Sequence, residues 1–391
     1  MTISLKSTLT LYPLTIKEDK KHYLVEESIS GEFFEMPKVC IDAIKMMNNG
    51  FNLGQVQASL LQTYPKEEVD LLDFSHQLVE LGLVQSIDGK IIEMKKENHK
   101  IRGFEWIPAK VGKLLFNRVT SKLYFLVFMM NILFLVLNPK LLPTYQDMFV
   151  FDVMIWNVLI YAVLSLILLL IHEMGHVLAI RSHNLPTNWN IAHRLMLVVM
   201  ETDLTAAWKL PNHRRNILYL GGMCFDQVLL FTALSWKLTL PNDELILHGI
   251  LSMIALDIFI KTIYQCCFYM KTDLYFVFEN ISGCYNLMEN AKQHLREWLP
   301  FIKEDTTTTV YQEEKRTVRL YSYFFLCGII LTFSLFAFYF LPQAVYVYMN
   351  IIPQLLLPLN SVYFWDAIII LGQSLIILVL LFYSITKSKR L

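Results

Sequence analysis

Charge is scarce in this chain. Only 17% of its 391 residues are Asp, Glu, Lys or Arg, against about 25% in an average soluble domain. The 34 basic and 34 acidic side chains cancel, so there is no bulk basic field and nothing points to nucleic acid as a partner. Cysteine supplies neither a disulfide framework nor a CxxC metal site. Cys40, Cys224, Cys266, Cys267, Cys284 and Cys327 are scattered, most of them in or near apolar runs. A charged-then-apolar leader with a cleavage site is also missing at the start, so the first region is expected to stay in the cytosol. Apolar residues, in contrast, make up 55% of the chain, 13% is aromatic, and the mean hydropathy is positive. This balance predicts an α-helical polytopic membrane protein with an extramembrane part.

The extramembrane part reads as residues 1–100. Tyr23-Leu24-Val25 and Phe33-Phe34 form short β-prone segments joined across Ser30-Gly31. Helical stretches follow over 37–47, 53–62 and 66–83, the last with Val69, Leu72, Phe74, Leu78 and Leu81 on an apolar stripe. Asp88-Gly89 then marks a turn between two more β-prone segments. Strand pair, three helices and hairpin is the order of a small α+β winged-helix-like domain.

A basic connector over 101–122 carries Lys110, Lys113, Arg118 and Lys122, and a membrane domain over 123–385 follows, its core at about 150–290. Six spans are expected, at 123–138, 153–175, 216–236, 245–265, 320–341 and 364–384. Cations crowd the connector, the 181–215 and 271–319 loops and the basic tail over 386–391, whereas the 342–362 loop has neither Lys nor Arg. The positive-inside rule therefore puts both termini in the cytoplasm, as an even number of spans requires.

At the inner end of the second expected span stands Leu-Leu-Leu-Ile-His-Glu-Met-Gly-His, residues 168–176. In H-E-x-x-H, His172 and His176 share one helix face and can share a tetrahedral zinc, with Glu173 placed to act on the metal-bound water. Ionisable groups at membrane depth cost roughly 2.5–3.5 kcal/mol each on insertion scales, so three on one helix call for a function. A third ligand must come from the same depth. Asp273, just after span four, can reach that layer, and Asp257, deeper in the same span, competes with it unless it pairs with Lys261 one turn on. Asp226 in span three is a candidate partner for a histidine. His183, His193 and His213 read as interface or solvated residues.

These residues resemble the site-2-protease-type intramembrane zinc metalloproteases, and more narrowly a branch of peptide zinc metalloproteases found with bacterial peptide-maturation genes. Three segments carry the resemblance, in order, across about 150–290: the HExxH helix at 171–179; Thr202-Asp203, Ala207-Trp208 and Pro211 followed by Arg214-Arg215; and Lys271-Thr272-Asp273-Leu274-Tyr275-Phe276, similar to the family's Phe-Asp-Gly-Tyr-Tyr. The resemblance implies Zn²⁺ held by His172, His176 and Asp273, and so prefers Asp273 to Asp257. The family's Asn-Pro pair is replaced by Cys267-Phe268-Tyr269-Met270, and Leu274 stands where the family has Gly. Residues 1–100 are similar to PqqD-like leader-recognition domains, which implies binding of a ribosomally made precursor or leader peptide, commonly as an added strand.

The expectation is a membrane zinc metallopeptidase in the bacterial plasma membrane, with Glu173 as general base. It would mature or help export a modified precursor peptide, alongside a peptide-modifying enzyme or an ABC transporter. Its rivals are a non-catalytic membrane protein for peptide export or immunity, and a regulated protease releasing a transcription factor. The 181–215 loop is a candidate edge for pairing with an unwound substrate.

Overall fold

The computed structural model describes residues 3–20, 22–28, 30–65, 67, 69–92, 103–194, 197–240, 244–284, 286–296 and 314–388. The basic tail beyond Ser388 lies outside them, as do residues 285 and 297–313 of the expected 271–319 loop. The chain divides into two compact units, Met1–Arg102 with Trp208–His213, and Gly103–Ala207 with Arg214–Leu391.

The first unit runs β1 (Leu9–Leu11), β2 (Leu14–Asp19), β3 (His22–Glu27), β4 (Phe33–Met36), α1 (Lys38–Asn48), α2 (Leu53–Thr63), α3 (Leu71–Glu80), β5 (Val84–Ile87) and β6 (Lys90–Ile91). The expected strand pair is β3–β4, antiparallel, with Val25 opposite Phe34. It is one strand short, because β2 adds to β3 along its whole length. β2 lies at the sheet edge with Leu14 and Ile16 only half-buried, so its alternation is faint in the sequence. β1 was also missed; it pairs with β5. The third helix starts at Leu71, because the Asp70 carboxylate accepts from Leu72 N (2.9 Å) and Asp73 N (3.0 Å) and caps it there. The expected stripe turns accordingly: Leu71 and Leu78 are buried while Leu81 is exposed. Val25, Ile41, Ile44, Met47, Val56 and Leu78 close one core between sheets and helices.

In the second unit come α4 (Ala109–Leu115), α5 (Arg118–Leu137), α6 (Met154–Arg181), the hairpin β7 (Trp189–Arg194) and β8 (Leu197–Thr202), α7 (Asn212–Tyr219, begun in the first unit), α8 (Gly221–Thr239), α9 (Leu245–Tyr264), α10 (Asp273–Ser282), α11 (Leu287–Arg296), α12 (Lys315–Leu335), α13 (Leu341–Gln354) and α14 (Val362–Ser388). Among the described residues, five helical stretches are long and apolar enough to cross a membrane, and α7 with α8, bent by 43°, makes a sixth if counted as one. Several bounds differ from expectation. The connector is not one element: α4 occupies part of it, and Asn117 caps α5, whose first five residues take in Arg118 and Lys122. The fifth stretch runs over Lys315–Gln354, well into the expected outer loop. Pro342 has no N–H for an i→i−4 bond, and the ladder passes it through a π turn at Phe336–Phe340.

α6 is the central element. Its 28 residues span about 42 Å at 1.5 Å per residue, and both ends are fastened by buried polar groups. At the start, Asp366 of α14 accepts from Met154 N (2.7 Å) and Ile155 N (2.8 Å), and Asn157 accepts from Val150 N and Phe151 N, both at 2.8 Å. A carboxylate there meets orphan amides and the positive end of the helix dipole. At the other end, Arg181 donates to the carbonyls of Leu185 (2.8 Å) and Ile107 (3.0 Å). Gly112 lets α4 lie against Leu178 O and Ser182 with no room for a Cβ.

Asp366→Ala strips the first turn of α6 of two buried acceptors. The expected loss is about 2–4 kcal/mol of stability in detergent, with Asp366→Asn intermediate, read by equilibrium unfolding.

Candidate metal centre

Four-residue spacing on α6 brings His172 and His176 to one face, both buried, with ring centroids 5.0 Å apart. Opposite them α8 comes close enough for backbone contact. A Cβ on Gly175 would strike Gly221 O, and one on Gly221 would strike Gly175 O. A Cβ on Gly222 would occupy the space of the His172 imidazole itself. This approach gives each ring a partner at Nδ1. His172 Nδ1 lies 2.7 Å from Asp226 Oδ2, and His176 Nδ1 lies 2.9 Å from the Leu218 carbonyl, beside the break between α7 and α8.

Those partners set the tautomers. A carbonyl oxygen only accepts, so His176 must carry its proton on Nδ1; the Asp226 carboxylate imposes the same on His172. Each neutral ring then offers an Nε2 lone pair to a common point. The two Nε2 atoms are 3.3 Å apart, and Asp273 Oδ2 stands 3.2 Å from His172 Nε2 and 3.4 Å from His176 Nε2. With both rings in that neutral form, three acceptor atoms converge on one point. A tetrahedral ion with bonds of about 2.0–2.1 Å needs its ligand atoms about 3.3 Å apart, so the triangle fits zinc. Among the described residues this is the one group of three or more His, Cys, Asp or Glu side chains close enough to hold a metal.

Asp273 is the first residue of α10, reached from α9 through a short loop in which Lys271 takes a left-handed φ of 51°. Gln265 closes the loop: its Nε2 donates to Asp273 Oδ2 and its Oε1 accepts from Asp273 N, both at 2.9 Å. Further along, Tyr275 packs on Tyr321 of α12 and donates to Glu279 Oε1 at 2.8 Å. Burial pushes the Glu279 carboxyl up to about 7, although the Tyr275 hydroxyl and Lys271 pull the other way. Glu173, also buried, accepts from Thr202 Oγ1 (2.7 Å), the last residue of β8.

Three of the four expected site residues, His172, His176 and Asp273, therefore meet, and the fourth, Glu173, follows His172 in α6 and is buried against Thr202. Asp257 does not join them: it pairs with Lys261 at 2.6 Å, and Lys261 also reaches Ser165 O at 3.4 Å. His183 stands apart, and burial with the Arg214 and Lys113 charges pushes its imidazole pKa down; His213 is exposed. The side chain of His193 lies outside the described ones. Thr202 and Gln265 were missed as site residues. In the sequence Thr202 stands out only as part of a motif, and an uncharged amide closing an apolar run gives no signal unless its loop is known to return. The glycines were legible in principle, since Gly175 lies inside the HExxH segment and Gly221-Gly222 opens the next apolar run.

Gly222→Ala should leave the protein folded and displace His172, lowering zinc affinity at least tenfold in chelator competition. Glu279 tests the packing of α10. Its folded carboxyl holds a proton more tightly than the unfolded one, so its stability contribution is full below about pH 4.5 and is lost as pH rises through about 7. Glu279→Gln should flatten the stability profile across that window. No family model, curated protein or solved structure matches this chain.

Proposed function

We propose that this chain is an intramembrane zinc metalloendopeptidase of the site-2-protease type, acting on a ribosomally made, post-translationally modified precursor peptide. The observation that carries this reading is the triangle of Nε2, Nε2 and Oδ2 at 3.2–3.4 Å with a buried glutamate beside it. A metal cation placed between these three atoms would take a lone pair from each.

His172, His176 and Asp273 would hold Zn²⁺, leaving a fourth position open. When bound, the ion supplies Lewis acidity, bringing the pKa of a water towards roughly 7 and polarising a scissile carbonyl. Glu173 does the proton work, taking one from the attacking water and returning it to the leaving amine. Asp226 and the Leu218 carbonyl keep both imidazoles in the ligating tautomer and raise their basicity.

The apolar helices and the distribution of cations support a multi-pass protein of the bacterial plasma membrane with both termini cytoplasmic. On that topology α6 runs inward and the metal ligands stand towards its cytoplasmic end. A substrate must leave its helix before cleavage, and the β7–β8 hairpin, which ends at Thr202 against Glu173, offers strand edges to an extended chain. The first unit is read as the PqqD-like receptor for the leader of such a peptide; its β2 and β4 are edge strands. A peptide-modifying enzyme or an ABC transporter would work beside it.

The test compares cells carrying the parent chain with cells carrying Glu173→Gln or His172→Ala. Purified parent and Glu173→Gln protein should each hold one zinc per chain, and His172→Ala protein should hold none. Mass spectrometry of small peptides should find an uncut precursor accumulating in both variants. Processing that survives Glu173→Gln would sink the hydrolase; survival in His172→Ala cells would favour a non-catalytic role in export or immunity.

A further inference from the structure

We infer that Gln265 is a positioning residue for Asp273 and thereby sets the zinc affinity of the site; this rests on the metal reading above. Two of the three ligands have a partner behind them, Asp226 for His172 and the Leu218 carbonyl for His176. The third lies in a different setting. Asp273 follows an eight-residue excursion from the end of α9, and the backbone just before it is left-handed at Lys271. A carboxylate at the start of a helix can turn about two side-chain torsions, and nothing in the loop sequence fixes which oxygen faces the imidazoles.

The Gln265 amide fixes it. One primary amide grips Asp273 twice, donating from Nε2 to Oδ2 and accepting the backbone N–H at Oε1, each at 2.9 Å. The oxygen it holds is the one that completes the triangle with the two Nε2 atoms. A carboxylate oxygen has two lone pairs, so Oδ2 can accept from the amide with one and ligate with the other. The Thr272 hydroxyl donates to Gln265 O at 2.6 Å and ties the loop closed from the other side. An uncharged amide suits the position. Lys or Arg would neutralise Asp273 and compete with the metal, and a second carboxylate would repel it. Gln265 lies outside the resemblance-bearing motifs, in the chain that lacks the Asn-Pro pair.

The experiment measures zinc affinity of the full chain in detergent by competition with a fluorescent chelator. Gln265→Met keeps the length and apolar contacts of the side chain and removes both bonds. It should bind zinc 10- to 100-fold more weakly than the parent. In an Asp273→Ala background the same change should have no further effect, because the coupling runs through that carboxylate. Gln265→Asn keeps the amide but not its reach and should weaken binding as Gln265→Met does, which covers the case of a Gln265→Met chain that fails to fold. Parent-like affinity in the variants, or an equal loss without Asp273, would overturn the assignment while leaving the metal site standing. A parent chain that binds no zinc would remove the metal reading and this inference with it.

Discussion

The backbone contact between α6 and α8 at Gly175, Gly221 and Gly222 is the constraint on which the candidate site depends. Apolar helices gain little from hydrophobic burial against one another in an apolar surrounding, so close packing between small residues has to hold them. Glycine permits that approach because no Cβ stands between the backbones. Once it is made, the Leu218 carbonyl and the Asp226 carboxylate lie within hydrogen-bonding reach of the two imidazoles, and Gly222 leaves the volume that the His172 ring fills. The direction of both Nε2 lone pairs follows from this, and so does the convergence on Asp273.

Elsewhere in the second unit the register of the apolar helices is written in a few buried polar pairs. Asn131 of α5 donates to the backbone and side-chain oxygens of Gln227 on α8, and Gln227 donates to Thr262 of α9. Asp257 and Lys261 neutralise each other within α9, and Asp366 ties α14 to the start of α6. Leu, Ile and Phe fill space in almost any rotation of a helix, but a buried amide or carboxylate is satisfied in one. The same pattern is found at the candidate site, where each candidate ligand is hydrogen-bonded to a neighbour outside the triangle. The difference is what converges: the structural pairs join two or three side chains in a line, and at the site two ring nitrogens and a carboxylate oxygen face one point.

Much of this was legible in the sequence where a short motif or a strong period expresses it. The HExxH face needs only the pitch of a helix, and the α1–α3 helices and the β5–β6 turn at Asp88-Gly89 follow from local patterns. Asp273 was reached by combining span direction with a family resemblance, and it lies beside both histidines. What escaped has a common physical cause. β2 is an edge strand with little buried surface, and β1 is three residues long and stabilised by β5, far away in the chain. Thr202 and Gln265 act through contacts across 29 and 8 residues, set by how a hairpin and a loop return to the ligands. The helix bounds slipped where capping or a π turn, and not hydropathy, decides them, as at Asn117 and Pro342.

The central claim is a zinc ion held by two imidazoles and one carboxylate, and zinc K-edge X-ray absorption on the purified full chain tests it most directly. The account predicts a four-coordinate nitrogen and oxygen shell at about 2.0–2.1 Å, with imidazole scattering from two rings, and a changed shell in Asp273→Asn protein. A shell containing sulfur at about 2.3 Å, or a spectrum that Asp273→Asn leaves unaltered, would contradict it.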